Sequence, residues 1–172
     1  YCSGVCCMYA IKNAILLREK YPGIDVTILY MDIRAYGKGY EEYYQRAIGA
    51  GVKFLRGMPG EILGDGGLLL VRVENTENGE MVELHPELVV LSTGLEPAGD
   101  AGEIAGVLGL PRESTGFFQA LNEKIDTVAT IRPGVYLAGT AASPRDIPDC
   151  VAHSGAAAMR AFIDASRDGS CR

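Results

Sequence analysis

Three cysteines stand within six residues, at Cys2, Cys6 and Cys7. Thiolates are soft ligands for iron and zinc, and the thiolate is also the nucleophile of redox exchange. The spacing Cys-x3-Cys-Cys separates these chemistries. A catalytic dithiol ordinarily reads Cys-x-x-Cys, and structural zinc prefers well-separated pairs. An iron–sulfur cluster takes four thiolates from a loop able to wrap it, and small Ser3 and Gly4 let the backbone curl closely. Cys6 and Cys7 diverge at a helix start and so can reach different irons. The plainer reading is packing, since free cysteine is among the most buried residue types. Three thiols leave a cluster one ligand short. Cys150 or Cys171 can supply it, and a residue preceding Tyr1 fits better.

The elements that position this loop begin with a helix. Met8, Ile11, Ala14, Ile15 and the stem of Arg18 recur at helical spacing, which predicts a helix over Met8–Lys20, stopped by Pro22 and Gly23. Val26–Asp32 is a nearly unbroken apolar run, the pattern of a parallel strand covered on both faces. Tyr40–Ala50 reads as a second helix closed by Gly51, and Val52–Arg56 alternates as a strand. Leu68–Val73 and Met81–Leu84 flank an Asn78-Gly79 turn and form a hairpin or meander. Leu88–Ser92 reads as a buried strand ending in Thr93-Gly94. Beyond Pro97 the sequence predicts a short helix at Gly102–Leu108 and extended pieces at Gly116–Phe118 and Thr127–Ile131. A buried strand at Val135–Gly139, a loop at Ser143–Pro148 and an alanine-rich helix over Asp149–Ala165 follow. Ser166–Arg172 is expected to be a mobile tail. The class is α/β, a parallel sheet with an added β-meander, divided into lobes at 1–94 and 95–172. In a βαβ unit a strand precedes the first helix, so the chain is expected to be a piece of a longer polypeptide. The cysteine loop would then lie at the carboxyl end of that strand, where open α/β sheets hold ligands.

The 172 residues are 48 % hydrophobic and 22 % charged, and the net charge is −6. No basic stripe is present to neutralise phosphates, so nucleic acid is not an expected partner. No apolar run is long enough to span a bilayer, so no membrane insertion is expected, and no secretory signal is visible. Five cysteines, three of them crowded together, do not read as a disulfide framework. A reduced, cytoplasmic thiol cluster is the expectation. His85 and His153 read as surface or packing residues, and Glu41-Glu42 as an exposed helix face.

Several stretches resemble a known family. YCSGVCCMYAIKNAILLREKYP, VTILYMDIRAYGKGYEEYYQRA, LVVLSTGLEP and GVYLAGTAASPRDIPDCVAHSGAAA are similar to the A subunit of heterodisulfide reductase. The related flavoproteins of quinone-interacting oxidoreductases are an alternative. The resemblance implies a thioredoxin-reductase-like, two-dinucleotide-binding flavoprotein core carrying FAD and a 4Fe-4S cluster. It implies an oxidoreductase subunit that passes electrons between flavin and cluster, with bifurcation of electron pairs in methanogens. Its implied partners are the other heterodisulfide reductase subunits, ferredoxin, and a hydrogenase or formate dehydrogenase module. Cys2, Cys6 and Cys7 match three cluster ligands of the family, whose fourth lies a short way earlier.

The same resemblance assigns a flavin side. In such folds a strand ending in Gly-Asp touches the ribityl chain, and the next helix points its positive end at the flavin ring. Here Gly139 is followed by Thr140, a weaker partner than Asp. Asp146, Ile147 and Pro148 lead into the helix, with Asp149 expected near its N-cap. Without the resemblance, Gly139–Pro148 is an ordinary strand-to-helix turn. Lys12, five residues past Cys7, is a candidate to stabilise negative charge on flavin or cluster; as a first-helix lysine it otherwise reads as solvated. The cysteine loop takes the place of a nicotinamide site. No G-x-G-x-x-G turn for the FAD pyrophosphate occurs in the sequence. The isolated chain is therefore expected to hold FAD poorly and to be inactive. The rival of a different class is a non-catalytic scaffold lobe whose thiols only pack.

Overall fold

The structure, a computed structural model, describes residues 1–167. The chain forms two compact units, one of Cys6–Thr93 and one in which Tyr1–Val5 joins Gly94–Arg172. Cys2 thus belongs to one unit and Cys6 and Cys7 to the other.

The Cys6–Thr93 unit opens with α1 (Cys6–Lys20), followed by β1 (Thr27–Tyr30), α2 (Tyr40–Gly49) and β2 (Lys53–Arg56). β1 and β2 pair in parallel, with Ile28 opposite Phe54. The crossover through α2 makes this a βαβ unit, as a parallel pair requires. Ile11, Ala14 and Ile15 of α1 are buried with Ala47 and Val52, and Met8, Val26, Ile28, Tyr44 and Phe54 pack around them. Tyr44 meets Phe54 edge-on at 4.8 Å, the geometry favoured by aromatic quadrupoles. Arg18 does more than lend its stem to this face. Its Nε donates to the carbonyl of Ala50 at 3.0 Å, and its Nη1 donates to those of Pro22 and Ile24. One guanidinium thereby satisfies carbonyls where α2 ends and where α1 leads into β1.

A three-stranded antiparallel meander follows: β3 (Pro59–Asp65), β4 (Leu68–Asn75) and β5 (Glu80–Leu84). Its first strand escapes the sequence pattern, because Pro59, Gly60 and Gly64 are residues depleted in strands. The signal lies in the turn. Gly66 and Gly67 both have positive φ, 57° and 89°, as a two-residue primed hairpin turn demands. Arg72 on β4 pairs with Glu61 at 3.0 Å and Glu83 at 2.8 Å, tying the three strands across one face.

Two strand expectations are corrected. Val26–Asp32 shortens to β1, whose side chains are half-buried or exposed rather than covered on both faces. Leu88–Ser92 has no ladder partner among the described residues, and Leu88, Val90 and Leu91 are more than 70 % exposed. A strand exists only through its neighbour's hydrogen bonds, which an apolar run does not provide. The end of this stretch is instead held by side chains. Ser92 Oγ donates to the Cys6 carbonyl at 3.1 Å, and the Tyr9 hydroxyl donates to that of Thr93.

The second unit contains α3 (Ala101–Leu108), one 3-10 turn at Gly139–Ala141 and α4 (Ile147–Arg167). The extended pieces between them form only isolated bridges, Arg112 with Phe118, Asn122 with Asp126 and Ala129 with Tyr136. The expected strand at Val135–Gly139 is therefore a single bridge leading into the 3-10 turn, although Leu137 and Gly139 are buried. α4 is pinned to this segment along one stripe. His153 Nε2 lies 3.1 Å from the Thr127 carbonyl, Arg160 pairs with Asp126 and Asp164, and the Tyr136 hydroxyl donates to Asp164 Oδ2 at 2.8 Å. His153 is thus a packing residue, and His85 is exposed. Residues 168–172, which include most of the expected mobile tail and the candidate ligand Cys171, lie outside the described residues. Among the described residues, no helix is long and apolar enough to cross a membrane.

Ile15→Ala is expected to lower the unfolding free energy by about 2–5 kcal/mol, and exposed Glu19→Ala to change it by less than about 0.5 kcal/mol; urea unfolding checks both. The Tyr136 hydrogen bond, and then Arg160, hold the Asp164 carboxyl below its ordinary range. Its folded-state pKa is depressed. Its contribution to stability is therefore present above the unfolded carboxyl pKa of about 3.9 and is lost as pH falls through the lower folded value. Tyr136→Phe is expected to raise the Asp164 pKa, measured by NMR titration of its side-chain carboxyl, and to weaken resistance to acid unfolding.

Candidate functional site

The cysteine loop is built around a backbone curl at Ser3-Gly4. Gly4 has φ 71°, and its N–H lies 3.3 Å from Cys2 Sγ. Ser3 is buried, whereas Cys2 is exposed. In the other unit, α1 begins at Cys6 rather than at the expected Met8, so Cys6 and Cys7 occupy its first turn. Both are half-buried, reduced thiols, and Cys7 Sγ lies 3.7 Å from the Asp32 carbonyl. The positive end of a helix favours negative charge there. Among the described residues, no set of three or more His, Cys, Asp or Glu side chains is gathered in a metal-binding arrangement. The donor chemistry nonetheless fits a cluster. The three thiols are reduced, and one accepts an N–H bond of the kind that tunes cluster sulfurs.

The flavin-side candidates lie in the Gly94–Arg172 unit. Gly139 is buried at φ 56°, and an added Cβ would sit 3.5 Å from Cys150 Sγ. The left-handed backbone makes glycine the fitting residue here. Thr140 is exposed. α4 starts at Ile147, two residues earlier than expected, with Asp146 as its cap and Asp149, near the cap as expected, at the third helical position. Asp146 Oδ1 accepts the Asp149 N–H at 2.8 Å, the bond from cap residue to third helical position. Pro148 falls in the first turn, where its missing N–H costs nothing. Lys12 is exposed on α1, in the unit that does not contain the Gly139–Pro148 loop.

A cavity of about 370 Å3 opens beside this loop. Its lining includes Tyr1, Cys2, Glu113, Phe117, Ser143 and Arg145. Tyr1 packs edge-on against Phe117 at 5.8 Å, and its hydroxyl donates to the Leu95 carbonyl at 2.8 Å, which holds Tyr1 against the cavity. One cysteine of the loop and the residues just before the α4 cap therefore face the same space. Sequence reasoning missed Glu113, Phe117 and Arg145 as lining residues. The Pro-Arg-Asp run offers a signal for Arg145, but nothing local marks Glu113, which a turn brings in.

No family model matches the chain. Solved structures do resemble it. Thioredoxin reductase of Lactococcus lactis is 25 % identical, with a TM-score of 0.68 over 93 % of this chain and 50 % of that one. The thioredoxin reductase of T. acidophilum is 21 % identical, with a TM-score of 0.66 over 90 % and 49 %. The fold is thioredoxin-reductase-like. Curated relatives are named as A subunits of heterodisulfide reductases. That of the H2/formate:CoB-CoM heterodisulfide,ferredoxin reductase of Methanococcus maripaludis is 51 % identical over 170 residues, 97 % of this chain and 26 % of the relative. The iron-sulfur A subunit of the CoB–CoM heterodisulfide reductase of Methanocaldococcus jannaschii is 50 % identical over 95 % of this chain and 25 % of its own length. The corresponding subunit of the ferredoxin:CoB-CoM heterodisulfide reductase of Methanosarcina mazei is 45 % identical over 93 % and 20 %.

Asp146→Ala removes the α4 cap and is expected to cost about 1 kcal/mol in urea unfolding, whereas Asp146→Asn retains most of it. The chain spans about a quarter of the length of the curated relatives it matches, and over that length it is similar to the A subunits of heterodisulfide reductases.

Proposed function

We propose that the full-length protein is an oxidoreductase subunit that passes electrons between FAD and a 4Fe-4S cluster within a heterodisulfide reductase-type complex. The observation that carries this reading is the shared cavity, lined by Cys2 and by Ser143 and Arg145 of the Gly139–Pro148 loop. A thiolate ligand and a flavin-side loop facing one space are what a short electron path requires. Bound FAD supplies chemistry that converts paired electrons to single ones, and a cluster supplies one-electron relay.

The chain's own residues divide the work. Cys2, Cys6 and Cys7 hold the cluster, and the Gly4 N–H steadies the Cys2 sulfur. Gly139 lets the backbone turn sharply, and Thr140 offers a hydroxyl to the ribityl chain. The Asp146 cap fixes where α4 begins, so that Ile147 and Pro148 present its positive end to a ring that gains negative charge on reduction. Tyr1 and Phe117, packed edge-on, offer aromatic contact at the cavity. Lys12 stabilises negative charge that accumulates on flavin or cluster.

The names of the relatives support partners of three kinds: the remaining subunits of the reductase, ferredoxin, and a hydrogenase or formate dehydrogenase module. Electron pairs are divided in this reading between ferredoxin and heterodisulfide, in the cytoplasm.

The test uses the full-length protein prepared without oxygen. Cys6→Ala is expected to lower bound iron by about four atoms per polypeptide, with loss of the corresponding EPR signal after dithionite reduction and unchanged circular dichroism. A colourless, metal-free wild type, or unchanged iron in Cys6→Ala, would leave only a scaffold lobe whose thiols pack.

A further inference from the structure

Two residues that line the cavity beside the Gly139–Pro148 loop each carry one side-chain atom without a partner among the described residues. Glu113 Oε1 and Arg145 Nε are both buried, and neither has a hydrogen-bond partner among the described residues. Both side chains line the same cavity. They form no ion pair with each other, although their charges are opposite. Buried polar groups are ordinarily satisfied, because an orphaned donor or acceptor loses its water and gains nothing in return. Two such orphans of opposite charge, on residues that line one cavity, mark a place where an occupant's polar groups can complete the pairing. The surroundings supply the remainder of a ligand site: aromatic Tyr1 and Phe117 give flat apolar contact, and the volume is within the range of small-molecule pockets. Glu123 lines the same space.

We propose that Glu113 and Arg145 are a polar clamp that positions the flavin and sets its preference between oxidised and reduced forms. This rests on the flavin reading given above and extends it to two residues outside the Gly139, Thr140, Asp146, Ile147 and Pro148 set. An occupant suited to the clamp carries a hydrogen-bond donor for Glu113 and an acceptor for Arg145, as the heteroatom edge of a flavin ring does. The two residues act in opposite senses. A guanidinium beside the ring favours the negatively charged reduced form, and a carboxylate disfavours it.

The experiment uses the full-length, flavin-loaded protein and the variants Arg145→Gln, Arg145→Lys, Glu113→Gln and the double Glu113→Gln/Arg145→Gln. FAD per polypeptide, the two-electron flavin midpoint potential and the dithionite-reduced iron EPR signal are read on each. Arg145→Gln is expected to weaken the preference for reduced over oxidised flavin about tenfold, a fall of about 30 mV. Glu113→Gln is expected to move the potential upward, the double variant to return toward wild type, and Arg145→Lys to stay near it. The iron signal is expected to persist throughout. Opposed shifts are a signature that loss of packing does not produce. Potentials that match wild type in every variant, or that all move in one direction, overturn the clamp while leaving flavin binding intact. A wild-type protein that purifies with iron but without flavin overturns the flavin reading and the clamp together. Should Arg145→Gln fail to fold, the upward shift in Glu113→Gln decides the matter alone.

Discussion

The unit that carries the cavity depends on where α4 begins and how it is held. Asp146 accepts the Asp149 N–H and so sets the first helical residue at Ile147. From there the helix runs to its anchors. His153, Arg160 and Asp164 meet the 126–136 segment at Thr127, Asp126 and Tyr136. Moving the start by one residue would rotate these anchors by about 100°, because an α-helix has 3.6 residues per turn. Cap and anchors therefore have to agree. Their agreement places Arg145 and Ser143 beside the cavity.

The other unit uses a different economy. Its βαβ core is small, and the two fully buried isoleucines of α1 lie within about one turn of each other. The Arg18 guanidinium compensates by satisfying three carbonyls at the element ends. The meander beside it in sequence buries Val71 and Val73 of its middle strand. Its ladders and the Glu61–Arg72–Glu83 triplet, whose members remain partly exposed, join the strands around these valines. Surface ion pairs contribute modestly, so the backbone ladders dominate. The candidate chemistry of this unit is concentrated in its first turn, where Cys6 and Cys7 sit on the positive end of a helix that the isoleucines bury.

Much of this is legible without coordinates. Ile11, Ala14 and Ile15 recur at helical spacing, and all three are buried. The paired strands Thr27–Tyr30 and Lys53–Arg56 fall inside the apolar stretches that announce them. The strand Pro59–Asp65 is concealed because proline and glycine suppress the local signal, while the partner strand and the Gly66-Gly67 turn create it. Leu88–Ser92 fails in the opposite sense: its apolar run is real, but no ladder forms among the described residues. In the site, the types Cys2, Cys6, Cys7, Gly139 and Asp146 are all readable. The cap is Asp146, with Asp149 in the first turn, because Ile147 and Pro148 already adopt helical geometry, which proline tolerates in a first turn.

The sequence by itself determined the local chemistry: three thiols in a short curl, a glycine able to turn left-handed, and a helix with an acid and a proline at its start. These are properties of neighbours along the chain, and short-range sterics and hydrogen bonding suffice to specify them. Only the tertiary structure decided that Cys2 joins the second unit and shares a cavity with Arg145, and that Glu113 lines the same space. Those residues are far apart in sequence. Their meeting depends on which long loops close and which surfaces are buried together, and that is a property of the whole packed chain.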